Sequence, residues 1–199
     1  MNWLAHLLLS SPDPCSRIGN LLPDLLSGGE LREVHADYQS GIREHLAVDA
    51  FTDRHPVFKR STARVAPPWR RFGGILVDVY YDHVLSRDWA EFSEVPLADL
   101  VAEFHDSLDE HFHRLPAAAA ERLGWIREDG LLVSYGSTDG VSSALARIGR
   151  RFRKHVPLHE ALAELTKQHE ALREDFAEFF PEVVAMLKSP AEAGATNQR

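Results

Sequence analysis

The segment "GILVDVYYDHVLSRDWAEF", residues 74–92, limits the possible folds more than any other. Its Ile, Val and Tyr content suits a strand, but Leu76, Val79, Tyr80 and Val84 recur at helical spacing rather than alternating. Tyr80, Tyr81 and Trp89 leave it no polar face, so the spacing predicts a buried helix. That helix nevertheless carries Asp78, Asp82 and His83.

Helical patterning extends through the chain. A short apolar helix over 2–10 ends at "SSPDPCS", where Pro12 and Pro14 forbid continuation. Further helices are predicted over 16–26, stopping at Gly28-Gly29, then 30–38, and 40–54, closed by Pro56. The basic stretch 57–72 contains Pro67-Pro68 and is loop in part. Helices follow at 97–113, 116–123, 138–153 and 157–186, the last with Leu158, Leu162, Leu165, Leu172, Phe176 and Phe179 as its core stripe. No repeat or domain boundary interrupts this pattern, so the expected fold is all-α: a single-domain helical bundle over residues 1–188, with a small, polar, disordered tail at 189–199.

Of the 199 residues, 44% are apolar and 26% charged, as in soluble globular proteins. A formal charge of −8 argues against a general nucleic-acid binder. Cys15, the single cysteine, can form neither an intramolecular disulfide nor a CxxC zinc site. "MNWLAHLLLSS" lacks a charged leader, and no segment approaches the roughly 20 apolar residues of a membrane span. A cytoplasmic chain is expected.

The stretch "HLAVDAFTDRHP", residues 45–56, repeats the oddity of the buried helix. With His45 at zero on a helical wheel, Asp49 falls at about 40°, Thr52 at about −20° and Asp53 at about 80°. These groups share one face among Leu46, Val48 and Phe51, without a cation between His45 and Asp53. "GNLLPD" sets Asn20 and Asp24 four apart, and His6 lies inside the first apolar helix. Unpaired buried carboxylates are costly unless protonated or bound to a cation. Singly, His6 reads as a hydrogen-bonded core histidine, Asn20 as a backbone partner, and Asp24 as an ion-pair partner of Arg17 or Arg43. Together, on separate helices, they favour convergence on a divalent metal such as Mn²⁺, Fe²⁺ or Zn²⁺. His105, His111 and His113, with His155, His159 and His169, read as solvated faces. "RIGRRFRKH" concentrates Arg147, Arg150, Arg151, Arg153 and Lys154, which suits a solvated helix end or a docking surface for an anionic partner.

"MNWLAHLLLS", "GNLLPDLLSG", "GIREHLAVDAFTDRHP" and "DVYYDHVLSRDW" resemble, in order, the signature blocks of the acyl carrier protein phosphodiesterase family, a similarity running from Met1 to about Lys188. The resemblance implies an all-helical fold distantly like the HD-type phosphohydrolases. It implies hydrolysis of the phosphodiester joining 4′-phosphopantetheine to a serine of holo-acyl carrier protein, with Mn²⁺, or Mg²⁺, as cofactor. Carried onto this sequence, it points to Asp24, Asp82 and His83 as metal ligands, with His6 completing the set. His45, Asp49 and Asp53 become further ligands or orient water and protonate the leaving serine oxygen. The acidic carrier gives the Arg147–Lys154 run a partner. Leu46 stands where the family commonly has a basic residue, so Arg43 or Arg87 is expected to contact phosphate instead. The alternatives are a metal-dependent phosphohydrolase of a nucleotide or small phosphodiester, and a non-catalytic carrier-binding helical module.

Overall fold

A computed structural model describes residues 1–189, so the predicted disordered tail, apart from Ser189, lies outside the described residues. Among the described residues there is no strand, and the chain is one all-α domain. In chain order the helices are α1 (Trp3–Leu9), α2 (Pro14–Leu25), α3 (Gly28–Arg32), α4 (Gln39–Arg54), α5 (Pro56–Ala63), α6 (Gly73–Arg87) and α7 (Trp89–Phe92). There follow α8 (Leu97–His111), α9 (Ala117–Glu128), α10 (Leu131–Ser134), α11 (Thr138–Arg150), α12 (Leu162–Lys167) and α13 (His169–Lys188). None of these helices is long and apolar enough to cross a membrane.

Local chemistry sets most boundaries. Asp13 caps α2 by accepting from the Ser16 N–H, and Pro14 occupies a first-turn position where no N–H is needed. Ser27 and Glu30 form a reciprocal capping box on α3. The expected helix over 74–92 breaks at Asp88, whose carboxylate pairs with Arg173. The one expected over 157–186 is a 3₁₀ turn, α12 and α13, broken at Gln168. Residue Gly130, at φ 57°, separates α9 from α10 in the left-handed conformation glycine tolerates.

The predicted burial of the 74–92 helix is observed. Leu76, Val77, Val79, Tyr80, Tyr81, Val84 and Leu85 of α6 are all within 1% of full burial, and α6 packs on α1, α5, α11 and α13. Tyr81 meets Phe176 and Phe179 edge-on or tilted, with centroids 4.9 and 5.9 Å away. Next to this core, α2 and α4 cross at backbone contact. A Cβ at Gly41 would overlap the Ser16 carbonyl oxygen and stand 2.6 Å from the Asn20 nitrogen, and one at Gly19 would overlap the Tyr38 carbonyl oxygen.

A buried carboxylate ties α5 to α13. Asp175 accepts from Ser61 Oγ at 2.6 Å, Arg60 Nε at 2.8 Å and Arg64 Nε at 3.0 Å. Burial alone would raise its pKa, but Arg64, Ser61 and Arg60 outweigh burial and lower it. The ionised form therefore stabilises the fold above the ordinary unfolded value of about 3.9, and that contribution is lost as pH falls through it toward the lower folded value.

Two predictions follow from this packing. Gly41→Ala forces α2 and α4 apart and costs at least about 2 kcal/mol, a fall in melting temperature of roughly 4–8 °C; an unshifted melt would contradict the close crossing. Asp175→Asn costs about 1–3 kcal/mol at pH 7, since Arg60 and Arg64 reach water. The gap between urea midpoints of wild type and Asp175→Asn should narrow as pH falls below about 4; a gap that stays constant would remove the ion network as its cause.

Candidate functional site

Asn20 on α2 stands between two imidazoles. Its main-chain carbonyl lies 2.7 Å from His45 Nδ1, so Nδ1 must carry the donated proton. Its side-chain Oδ1 lies 3.1 Å from Nδ1 of His6 on α1, which donates in the same way. The two rings stack with centroids 3.9 Å apart and planes 14° from parallel. Both Nε2 atoms turn the other way, toward Asp49 on α4, where each can donate a second proton to the carboxylate or, deprotonated, offers a lone pair. His6 Nε2 lies 3.2 Å from one Asp49 oxygen and His45 Nε2 3.1 Å from the other. A lone pair aimed at a carboxylate needs a proton or a cation between them.

The structure supplies one such cation. The Met1 α-ammonium is 2.9 Å from Asp49 and 3.5 Å from Asp78. Burial opposes its charge, but Asp78, Asp49 and Asp24 prevail and raise its pKa to about 10. Burial likewise opposes ionisation of Asp49, yet hydrogen bonds from His45 and His6 hold it far below the carboxylate range. Asp78 has no such support: burial pushes its carboxyl up to about 6, against the pull of the α-ammonium. Its buried Oδ1 has no hydrogen-bond partner, the Met1 nitrogen being too distant for a good one. Asp24 Oδ1 stands 3.8 Å from His45 Nε2.

This donor set fits a divalent metal. Ligand atoms of His6, His45 and Asp49 all lie within 4.8 Å of one another. Each imidazole is oriented through its other nitrogen, as metal-binding histidines are. Asp78 offers an unsatisfied oxygen and Asp24 a second free carboxylate. Two imidazoles with several carboxylates and no thiol suit a divalent ion that takes nitrogen and oxygen ligands rather than a thiolate-preferring one.

Other sequence-predicted residues lie elsewhere. Asp82 is not in the cluster: its oxygens accept from the Leu4 and Ala5 N–H groups at 2.8 and 3.0 Å. It therefore caps the N-terminus of α1 and holds the helix that carries His6. Burial raises its pKa to about 7 against those two bonds. His83 points away, with Nδ1 2.6 Å from the Tyr135 carbonyl oxygen. Asp53 is exposed and lines a different, basic surface hollow with Lys59, Arg70 and Arg71. The wheel grouped Asp53 with His45 because it records angle only; Asp53 lies two turns further along α4. His169, expected on a solvated face, is 3.1 Å from the Tyr80 hydroxyl.

The cluster borders a cavity of about 180 Å³ whose lining includes Met1, Asn2, Asp24, Asp78, Arg147 and Arg151. The basic run is thus divided. Arg147 turns inward, its guanidinium 4.7 Å from the Trp125 ring centroid and 5.7 Å from that of Trp3, while Arg150, Arg153 and Lys154 are exposed. Neither Arg43 nor Arg87, the expected phosphate contacts, lines the cavity. Leu46 is 55% exposed. Sequence reasoning left out Asp78, although its four-residue offset from Asp82 marked it. It also missed the double role of Asn20.

The profile of the acyl carrier protein phosphodiesterase family matches residues 1–183. The chain belongs to this family. A relative from Enterobacter sp. (strain 638), named acyl carrier protein phosphodiesterase, is 30% identical over 190 residues, covering 95% of this chain and 98% of its own. One of the same name from Photorhabdus laumondii is 29% identical over 182 residues, covering 90% and 87%. Another from Escherichia coli O139:H28 is 28% identical over 192 residues, covering 96% and 100%. No solved structure matches, so the expected HD-type likeness gains no support. Family membership agrees with the four sequence blocks, which together supply His6, Asn20, Asp24, His45, Asp49 and Asp78 to this site.

Asn20→Ala removes the acceptor of His6 but leaves the main-chain acceptor of His45. Calorimetric titration with Mn²⁺ should show affinity weakened by about 10- to 100-fold; wild-type affinity would mean that His6 is not oriented through Asn20.

Proposed function

We propose that this chain hydrolyses the phosphodiester linking 4′-phosphopantetheine to the serine of holo-acyl carrier protein, using Mn²⁺, with Mg²⁺ an alternative. The observation that carries this reading is a cavity lined by two carboxylates, Asp24 and Asp78, and two arginines, Arg147 and Arg151, beside the His6–His45–Asp49 cluster. Family membership supplies the carrier substrate. His6, His45 and Asp49 would hold the metal, with Asp78 and Asp24 on its cavity side. When bound, the ion supplies Lewis-acid stabilisation and an acidified water.

The chain's own residues then divide the work. Asn20 fixes both imidazoles. Asp24, exposed at the cavity, accepts the proton of the attacking water at Oδ1. Water oxygen bonds to phosphorus, the bond from phosphorus to the serine oxygen breaks, and the proton passes to that oxygen. The products are apo-carrier and free 4′-phosphopantetheine. Exposed Arg150, Arg153 and Lys154 form the docking surface for the acidic carrier. A cytoplasmic setting, where a carrier of fatty-acid synthesis is met, belongs to the same reading.

Mass spectrometry of holo-carrier incubated with the protein and Mn²⁺ tests it. Wild type should remove one phosphopantetheine per carrier, stop on chelation and resume when Mn²⁺ returns. Asp24→Asn should lower kcat by at least about 100-fold. An unchanged carrier mass, with Mn²⁺ bound, would overturn the carrier assignment and direct the search to small phosphodiesters.

A further inference from the structure

Arg147 and Arg151 are one helical turn apart and line the same cavity as Asp24 and Asp78. Several arginines of this acidic protein meet carboxylates, Arg17 with Glu103, Arg60 and Arg64 with Asp175, Arg114 with Asp37, Arg127 with Asp109, and Arg173 with Asp88, while others such as Arg32, Arg43 and Arg54 stand exposed without such a partner among the described residues. Among the described residues neither Arg147 nor Arg151 makes such a pair. The Arg147 Nε is buried with no hydrogen-bond partner. Its guanidinium is instead set by aromatic faces, Trp125 at 4.7 Å and Trp3 at 5.7 Å. Stacking of this kind fixes the plane of the group while leaving its N–H edge free.

A half-buried guanidinium kept from every carboxylate, one turn from a second, beside a cradle of acids, is arranged for an anion that also meets a cation. Planar N–H forks match the paired oxygens of a phosphoryl group. A simple carboxylate would satisfy the arginines but would give the neighbouring cradle nothing to act on.

We propose that Arg147 and Arg151 seat the non-bridging oxygens of a phosphate ester, with Trp3 and Trp125 holding Arg147 in plane. The identity of that ester, the phosphopantetheine linkage, rests on the function proposed above; the seat itself does not. Both arginines touch the phosphoryl group during binding and throughout the reaction. Arg150, one residue from Arg151 but outside the cavity lining, takes no part in the seat.

Calorimetry on the full chain, with metal removed by chelation and again with Mn²⁺, compares 4′-phosphopantetheine with pantetheine, which lacks the phosphate. Wild type should bind the phosphorylated form at least tenfold more tightly in both conditions. Arg147→Lys keeps the charge but loses the fork and the stacking, and Arg151→Gln removes an exposed cation. Each should weaken phosphopantetheine binding by tenfold or more and leave pantetheine binding unchanged, while Arg150→Gln binds as wild type. Should Arg147→Lys melt early, Arg151→Gln decides alone. The seat is overturned if the two forms bind alike, if wild type binds neither, if Arg151→Gln binds as wild type, or if Arg150→Gln loses as much. Phosphopantetheine held through these arginines without turnover of holo-carrier would refute the activity and leave the seat standing. Turnover of holo-carrier with Arg151→Gln indistinguishable from wild type in KM and in product binding would do the reverse.

Discussion

The backbone crossing of α2 and α4 is the constraint on which the rest of the site depends. Two helices can approach this closely only where a side chain is absent, and Gly19 and Gly41 provide that absence. The crossing carries the Asn20 carbonyl to within 2.7 Å of His45 Nδ1. That carbonyl lies within α2, where its oxygen has a second lone pair beyond the helical one; Pro23, lacking an N–H, leaves the neighbouring Gly19 carbonyl without its helical donor. A main-chain acceptor is therefore available without cost to the helix, and the imidazole satisfies it. The Asn20 side chain then reaches His6, so one residue sets the tautomers of both rings.

The electrostatics follow from this placement. Two imidazoles stacked at 3.9 Å cannot both carry charge cheaply. Burial pushes His6 down, and the Met1 ammonium and His45 add to that push. His45, which meets the same burial penalty, is raised because Asp49 and Asp24 outweigh it. The asymmetry leaves His6 the better neutral donor and His45 the one most in need of a cation or proton at Nε2. Asp49 and Asp78 part in the same way: histidine hydrogen bonds stabilise the first as an anion, while burial holds the second near 6. A divalent ion would relieve every one of these tensions at once, whereas the single α-ammonium leaves Asp78 Oδ1 without a partner.

Much of this was legible in the sequence, and the failures share a cause. Periodicity gave the helix class, the buried α6 and the acidic faces, because a period of 3.6 residues is a local property. It could not assign Asp82, since the partners of that carboxylate are the Leu4 and Ala5 N–H groups, more than 70 residues away in the chain. Spacing names a face and leaves open which helix covers it. Asp53 failed differently: it shares an approximate direction with His45 but sits two turns along the axis, beyond the reach of the cluster. The break at Gln168 had no proline or glycine to announce it, and the apolar stripe continues across it. Arg147 looked like one member of a solvated run because Trp3 and Trp125, which hold it, are remote in sequence.

On the function proposed above, that basic run serves a docking surface and a cavity together. Arg147 on α11 and Arg151, its C-terminal cap, lie only about 40° apart in helical direction, while 150 lies roughly 80° from their mean, so the helical period separates the cations that line the cavity from Arg150. Past the end of α11, Arg153 and Lys154 border a groove with Trp69, Phe72 and Phe152, where Phe72 meets Phe152 edge-on at 5.5 Å. The chain as a whole is negative, and an acidic carrier would be repelled by most of its surface. Screening at physiological salt confines attraction to about 8 Å, so an approach onto a local basic surface such as this end is favoured over the rest. In the function proposed above, a carrier docked on Arg150, Arg153 and Lys154 would bring its phosphodiester toward the neighbouring Arg147–Arg151 cavity. A local patch against an acidic background would then select orientation as well as partner, with the arginines that receive the phosphate on the same segment that draws the carrier in.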